Sequence, residues 1–190
     1  MRKLTYFIAS TIDGFIAGPS GEFDFYPVTE DLLAFLGSQY PETLPTHGRA
    51  ALGINSANRR FDTVIMGRAT YDPALQEGIT SPYAHLRQYV VSTSITRSPD
   101  LKVEIVSGDP IAKVRELKTE VGRLGIYLAG GSQLAGTLLP EIDELVVKLY
   151  PVVAGAGIPL FATGFDPRRF NLVDSQALRS GAVILTYAKA

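Results

Sequence analysis

The stretch IYLAGGSQLAGTLLP, residues 126–140, joins an apolar run to a helix-like pattern through two adjacent glycines. The apolar run is typical of a buried strand, and residues 132–139 are typical of a helix that stops at Pro140. At the carboxyl end of a parallel strand, the unpaired N–H groups of the next helix carry partial positive charge and favour a phosphate. Gly130 and Gly131 have no Cβ, so a ligand can approach the backbone closely. The junction therefore indicates either a phosphate site or a tight strand–helix turn, and two glycines alone do not separate these interpretations.

Outside this junction, strand-like and helix-like segments alternate through the first three quarters of the chain. Strands are predicted at residues 4–10, 63–66, 88–91, 103–106 and 125–129. Asp109-Pro110 is a strong helix start, because a side-chain cap precedes a proline at the first helical position. Such alternation is typical of a largely parallel sheet that is covered on both faces.

The last quarter follows another pattern. Residues 143–150, 170–177 and 182–188 are strand-like, and no helical pattern separates them. We therefore predict antiparallel strands there. No linker-like segment interrupts the 190 residues, so the sequence predicts a single α/β domain with a mixed sheet across residues 1–190.

Composition narrows the range of functions. Apolar residues make up 46% of the chain and charged residues 19%, which is typical of a globular protein. The formal net charge is −1 and no long charge block occurs, so we expect neither nucleic-acid binding nor binding to an anionic membrane. No apolar run reaches the ~18 residues that a membrane span needs.

The chain contains no cysteine and only two histidines. Disulfides, thiolate metal sites and a cysteine nucleophile are thereby excluded, and we predict no metal site. Lack of cysteine fits a reducing compartment, and we expect a cytoplasmic protein.

A second strand–glycine–helix junction occurs in VIMGRATY, residues 64–71. Arg68 provides a fixed positive charge with forked donors that suit a phosphate, and Thr70 provides a hydroxyl. The alternative is an arginine exposed in an ordinary turn.

A third segment, YVVSTSI at residues 89–95, ends a buried-looking strand in three hydroxyl residues, Ser92, Thr93 and Ser94. They could bind a phosphate or a ribose, although hydroxyl residues are also common in turns. All three segments fall at the carboxyl ends of predicted strands, where open α/β sheets bind their ligands. The chain lacks a G-x-x-x-x-G-K-[ST] loop, and GGSQL is not a G-x-S-x-G nucleophile elbow.

Five motifs, in this order, carry a family resemblance: FIASTIDGFIAG, VIMGRATY, YVVSTSI, IYLAGGSQLAGTLLP and ELVVKLYPVVAGAGIPLF. Together they resemble the dihydrofolate-reductase-like superfamily along nearly the whole chain. They are most similar to its branch containing the C-terminal reductase domain of the bifunctional riboflavin-biosynthesis deaminase/reductase. Ser10, Asp13 and Gly14, with the P-x-x-x-G-x-G-x-P-L-F pattern at residues 151–161, favour this branch over true folate reductases.

The resemblance implies a three-layer α/β/α fold, NADPH as cofactor, a small-molecule substrate and a homodimer. Carried over by motif, the cofactor-binding residues are Gly67, Arg68 and Thr70 at the phosphates, Ser92 and Thr93 at the adenosine end, and Gly130, Gly131 and Ser132 at the nicotinamide and pyrophosphate.

Departures from the family pattern affect the substrate. A chain without cysteine cannot hold the zinc of the deaminase half, so a reductase alone is expected. Residues 36–60 are long and rich in Gly and Pro for this branch, and no Trp is present. Yet VTEDLLAFL resembles the acidic helix of folate reductases, with Asp31 at the substrate-binding carboxylate. The alternative for Asp31 is a first-turn acid that is favourable to the helix dipole.

The resulting hypothesis is hydride transfer from NADPH to a C=N or C=O carbon of a small heterocycle or sugar phosphate. The expected activity is similar to that of 5-amino-6-(5-phosphoribosylamino)uracil reductase. Asp31 and Asp13 are the candidate catalytic acids, although Asp13 could simply shape the turn before Gly14. A true folate reductase and a non-catalytic nucleotide-binding module are the alternatives.

Overall fold

The structure is a computed structural model that describes residues 1–190. Its strands are β1 (Leu4–Ser10), β2 (Phe15–Ala17), β3 (Phe61–Gly67), β4 (Arg87–Val91), β5 (Val103–Val106), β6 (Gly125–Gly130), β7 (Glu144–Leu149), β8 (Ile158–Pro159), β9 (Phe170–Ala177) and β10 (Val183–Lys189). Its helices are α1 (Glu30–Gln39), α2 (Thr46–Ala51), α3 (Arg68–Gln76), α4 (Pro110–Thr119) and α5 (Ser132–Leu138).

Eight strands form one sheet in the order β5-β4-β3-β6-β1-β7-β10-β9. The pairings from β5 to β7 are parallel, whereas β10 runs antiparallel to both β7 and β9. The short strands β2 and β8 pair separately. The sheet confirms the expected mixture of mostly parallel strands with antiparallel strands at the carboxyl terminus.

Helices cover both faces of the sheet. Side chains alternate along the central strands, so that Phe7 and Tyr127 lie in one buried cluster and Tyr6 and Leu128 in the other. Helices α1 and α3 pack on the Phe7 face, and α4 and α5 pack on the opposite face. The three-layer α/β/α fold is therefore confirmed. Burial on both faces explains why the central strands are almost continuously apolar.

The connections of two neighbouring strands leave in opposite directions. After β1 the chain crosses the Phe7 face through α1 to reach β3, and after β6 it crosses the other face through α5 to reach β7. Two adjacent strands whose crossovers diverge leave a crevice at their carboxyl ends. Ser10 closes β1 and Gly130 closes β6, so the first glycine junction lies at this crevice.

Two local predictions are wrong. Residues 37–50 are rich in Gly, Pro and Thr, which predicts a loop, and the sequence predicts a short helix at residues 50–59, but α2 spans Thr46–Ala51. Its position is set by distant contacts: the Arg49 guanidinium donates to the Ser56 carbonyl at 2.6 Å. Buried Glu42, just before α2, accepts from the Phe61 amide at 2.8 Å, which ties the segment to β3.

Helix α4 is also shorter than its pattern suggested. Ile111, Val114, Leu117 and Val121 recur at helical spacing and predict a helix that includes Val121, but the helix ends at Thr119 and Val121 is exposed. The chain leaves the helix at Glu120 in an extended conformation, and the Glu120 carboxylate accepts from Arg2 at 2.8 Å and from Arg87 at 2.6 Å. These two ion pairs hold the chain away from the helical path.

Candidate functional site

The two glycine junctions meet at the carboxyl edge of the sheet. Met66 of β3 pairs with Gly130 of β6. A methyl group built on Gly67 would lie 3.7 Å from the Gly131 nitrogen and 3.8 Å from the Gly130 carbonyl oxygen. The backbone of Gly67 therefore lies next to the backbone of Gly130 and Gly131, with no Cβ between the two segments.

The hydroxyl of Thr70 lies next to Gly130 and Gly131. Its oxygen would lie 3.5 Å from a methyl group on Gly130 and 3.7 Å from one on Gly131. Gly130 has a φ of +118°, a conformation that favours glycine, whereas Gly131 has a φ of −99°. The peptide bond between them is cis. We call this place, where the backbone of Gly67, Gly130 and Gly131 meets the Thr70 hydroxyl, the glycine hollow.

Arg68 joins the hollow to the end of β4. Its guanidinium donates to the Ser94 hydroxyl at 2.5 Å and to the Asp72 carboxylate at 3.1 Å. Val91 pairs with Gly67, so the hydroxyl segment after β4 lies beside the start of α3. All three sequence segments therefore converge on one edge.

The hydroxyl groups at this edge differ in their environment. Ser92 is buried, and its oxygen accepts from the amides of Ser94 at 3.2 Å and Ile95 at 3.0 Å, so it shapes the turn. Thr93 is exposed. The Ser132 hydroxyl is buried and has no hydrogen-bond partner in the chain. A buried hydroxyl without a partner is unusual and is consistent with a bound ligand that completes the site.

Asp31, a predicted catalytic acid, lies at the start of α1. Its carboxylate accepts from the Thr29 hydroxyl at 2.6 Å, from the Leu32 amide at 2.9 Å and from the Ser180 amide at 2.8 Å. The Thr29 and Ser180 contacts lower the pKa of Asp31 to about 2. The Ser180 turn connects β9 to β10, three strands away from Gly130, so these contacts favour the reading of Asp31 as a first-turn acid.

Asp13, the other predicted acid, is exposed and holds a neighbouring loop. Its carboxylate accepts from the amides of Ala154 at 3.1 Å and Gly155 at 2.7 Å. The Thr11 hydroxyl and these amides lower the pKa of Asp13 to about 2. Both candidate acids are therefore ionised at neutral pH, and neither is a ready proton donor.

One polar residue near the crevice was not predicted. Lys148 lies in β7, and its ammonium is 4.8 Å from the centre of the Phe7 ring. Burial lowers the pKa of Lys148 to about 8. The signal in the sequence is a single lysine inside the apolar run ELVVKLY, on the face where alternation places buried side chains.

Comparison with known proteins identifies the family. The sequence profile of the RibD C-terminal domain matches residues 2–184. This chain belongs to the RibD C-terminal domain family. The predicted similarity to the reductase domain of the riboflavin-biosynthesis deaminase/reductase is thereby confirmed.

A curated relative of this RibD C-terminal domain protein is YwjB of Bacillus subtilis (strain 168), which is 32% identical over 191 residues, covering 100% of this chain and 99% of the relative. A riboflavin biosynthesis protein from Shewanella sp. PV-4, described as putative in its own name, has a similar structure. It has a TM-score of 0.72 and 26% identity, over 100% of this chain and 99% of that chain.

Two further structures share the fold. The Thermotoga maritima diaminohydroxyphosphoribosylaminopyrimidine deaminase/5-amino-6-(5-phosphoribosylamino)uracil reductase has a TM-score of 0.65 at 14% identity, over 100% of this chain and 57% of that chain. Dihydrofolate reductase from Enterococcus faecalis, complexed with NADP(H), has a TM-score of 0.66 at 13% identity, over 98% of this chain and 96% of that chain. In this RibD C-terminal domain protein, no helix combines the length and apolar character needed to cross a bilayer.

Replacing Asp31 with Asn tests its structural contacts. The amide keeps the shape of the side chain but loses the charge that holds the Ser180 and Thr29 donors, so the melting temperature should fall at pH 7. Since the native pKa is lowered to about 2, the stabilisation is present above the ordinary value of 3.8 and is lost as the pH falls towards 2. The difference in melting temperature between the two proteins should therefore shrink on acidification.

Thermal unfolding at several pH values measures this difference, and Asp24→Asn is the control for removing an acidic charge from the same region. An unchanged melting temperature together with a large loss of turnover would instead make Asp31 a substrate-binding carboxylate.

Proposed function

We propose that this protein is an NADPH-dependent reductase that acts on a small heterocycle or sugar phosphate. The observation that supports the proposal is the convergence of three segments, 67–70, 92–94 and 130–132, on the adjacent strand ends of β4, β3 and β6. A dinucleotide bound along this edge would contact the hydroxyls at 92–94, then the Arg68 guanidinium, then the glycine backbone at 130–131.

The residues present fit such a cofactor. Arg68 offers charged donors to a phosphate, and Thr93 offers an exposed hydroxyl beside it. The lack of side chains at Gly67, Gly130 and Gly131 would let a flat group approach the backbone, and the next residue along the chain, Ser132, has a buried hydroxyl without a partner. The reduced nicotinamide supplies the hydride. The protein binds and orients the two reactants and excludes water from between them.

The substrate would approach from the β1 side of the crevice, beneath α1. The proposed substrate resembles 5-amino-6-(5-phosphoribosylamino)uracil, on which the Thermotoga maritima protein is named as acting. Membership of the RibD C-terminal domain family supports this choice. Asp13 and Asp31, ionised at neutral pH, would hold the loop at Ala154 and the hairpin at Ser180 in place.

A true folate reductase remains the second candidate, because α1 carries an acid in its first turn and the fold matches the Enterococcus faecalis enzyme. The two activities separate in one assay. NADPH oxidation is followed at the nicotinamide absorbance band with dihydrofolate or with the ribosylaminopyrimidine phosphate. Rapid oxidation with dihydrofolate alone would overturn the proposal, and NADPH binding without any turnover would indicate a non-catalytic nucleotide-binding module.

Replacing Gly131 with Val tests the hollow directly. The backbone of Gly131 lies outside the left-handed region, so a side chain is tolerated by the chain itself. Its Cβ would sit at ordinary contact distance from Thr70, and the two outer methyl groups would fill the space proposed for the cofactor. The Kd for NADPH should rise about tenfold or more, which corresponds to about 1.4 kcal/mol or more, while the melting temperature changes little.

Tyrosine fluorescence titration measures the Kd of Gly131→Val for NADPH. The matched control is Gly164→Val, because a methyl group there meets nothing within 4 Å. Retained affinity in Gly131→Val would show that the junction serves folding alone.

Arg68 is proposed to contact the 2′-phosphate that distinguishes NADPH from NADH. Arg68→Ala should therefore raise the Kd for NADPH by about tenfold, because a charged hydrogen bond contributes on the order of 1.5–3 kcal/mol. The Kd for NADH should stay nearly unchanged. Titration of both nucleotides gives the comparison. Arg123→Ala, on the exposed turn before β6, controls for the loss of one positive charge. An equal loss for the two nucleotides would place Arg68 at the pyrophosphate instead.

A homodimer is proposed through strand β9. This strand is eight residues long, forms an edge of the sheet and is exposed along nearly its whole length, with Leu172 56% and Val173 64% exposed. A long open edge of this kind pairs readily with a second copy. Light scattering should give about twice the 20.5 kDa chain mass, and Val173→Lys should return the protein to a monomer. A monomeric wild-type protein would refute the dimer.

A further inference from the structure

Lys148 occupies a distinctive place beside the crevice. In β7 it pairs with Ala9 of β1 on one side and with Ile184 of β10 on the other. Its side chain lies on the Phe7 face, beneath α1, with the ammonium over the Phe7 ring. The residue as a whole is only partly buried.

Nothing in the chain pairs with this amine. Lys148 takes part in no ion pair and donates no hydrogen bond, whereas buried Lys118 has both the Asp143 carboxylate at 2.7 Å and the Glu141 carbonyl at 2.7 Å. Burial alone lowers the pKa of Lys148, since no charged group offsets it. Enclosing an amine without a partner is costly, and such groups are concentrated at functional sites.

Other titratable groups lie on the same face but do not reach the amine. Those contributed by the elements around it are Tyr26, Tyr40, Tyr127, Tyr150, Asp31 and Asp174. The Asp31 carboxylate is bound to the Ser180 amide, and Asp174 lies on the far strand β9. The local environment of the amine is therefore aromatic and aliphatic, and its protonation is governed by burial and by whatever molecule enters the space.

Lys148 and the Gly130–Gly131 junction both lie at or next to the carboxyl ends of their strands. Strands β6, β1 and β7 are consecutive in the sheet, so the β7 and β6 backbones are about 10 Å apart at two strand spacings. Between them stands Ala9, whose side chain is a single methyl group. A small heterocycle can bridge the gap from the hollow to the amine.

We propose that Lys148 is a catalytic residue that contacts the substrate and donates the proton that accompanies hydride transfer. The inference rests on the proposed reductase function. The substrate C=N or C=O carbon gains a hydride from NADPH, while its nitrogen or oxygen forms a bond to hydrogen as the Nζ–H bond breaks. The substrate is reduced by two electrons and NADPH is oxidised to NADP⁺. Lys148 is left as a neutral amine, which regains a proton from water.

The charge of the donor also selects the substrate. An ammonium at this position attracts an electron-rich imine nitrogen or carbonyl oxygen and repels a heterocycle that binds as a cation. A ring-opened ribosylaminopyrimidine presents such an imine. Lys148 therefore favours this substrate class over a protonated pterin.

Two substitutions separate proton donation from binding. Lys148→Met keeps the length of the side chain without its charge, and Lys148→Arg keeps the charge with a group that does not deprotonate. Both should lower kcat with the ribosylaminopyrimidine phosphate by about a hundredfold, since general acids contribute on the order of 10²–10⁴. Only Lys148→Met should weaken binding of that compound to the NADP⁺ complex, measured by calorimetry. NADPH affinity should stay within about twofold in both variants, because the cofactor binds on the other side of Ala9.

The pH profile gives a further readout. The wild-type kcat should fall as the pH rises through about 8, where the ammonium deprotonates. The low residual rate of Lys148→Arg should show no such fall. Wild-type-like kcat in Lys148→Met, with melting temperature preserved, would overturn the proposal.

A measurement that needs no turnover tests the role of Lys148 separately from the proposed reductase function. Lysine amines are methylated with a ¹³C label, and the Lys148 signal, assigned by its loss in Lys148→Arg, is followed by NMR. A titration midpoint near 8 supports the buried, unpaired amine, whereas one near the ordinary 10.5 overturns the inference whether or not any substrate is reduced. Absence of NADPH binding in the wild type would instead refute the reductase function, with the Lys148 titration unaffected.

Discussion

The divergence of the β1 and β6 crossovers is the constraint on which the rest of the site depends. The two strands are neighbours, yet their chains leave towards opposite faces of the sheet, so neither crossover helix lies over the boundary between their ends. The backbone at this opening must still turn into α5 within one or two residues. Gly130 allows that turn with a positive φ, and the lack of side chains at 67, 130 and 131 leaves the opening unfilled.

The candidate functional groups lie in a row along the carboxyl edge of the sheet. Hydroxyls and Arg68 lie on the β4–β3 side, the glycines lie in the middle, and Lys148 lies beyond Ala9 on the β7 side. The first half of the line suits phosphate and ribose, and the second half suits a reducible bond. Such a division fits a reaction in which two molecules must meet end to end, and it places both within one row of parallel strands.

Sequence patterns predicted the sheet and the meeting of the two glycine junctions and the hydroxyl segment at one edge of it, because their signals are local. Apolar runs mark the central strands, and glycines follow directly where those strands end. Helix α2 was misplaced because contacts outside its own sequence hold it, among them the bond from the Phe61 amide to Glu42 and the bond from the Thr46 amide to the Pro82 carbonyl. Asp31 could not be interpreted from its neighbours, since its partner Ser180 is 149 residues away. Lys148 was missed because its significance lies in the absence of a partner, which only coordinates reveal.

The carboxylates of Asp13 and Asp31 each fix a connection between elements, one at the loop of Ala154 and the other at the hairpin of Ser180. Both keep their negative charge far into the acid range. Both connections therefore stay fixed under mild acidification, whereas burial lowers the pKa of the Lys148 amine to about 8. The response to pH is therefore asymmetric. The contacts of Asp13 and Asp31 resist acid, and Lys148, as the proposed proton donor, would set the alkaline limit.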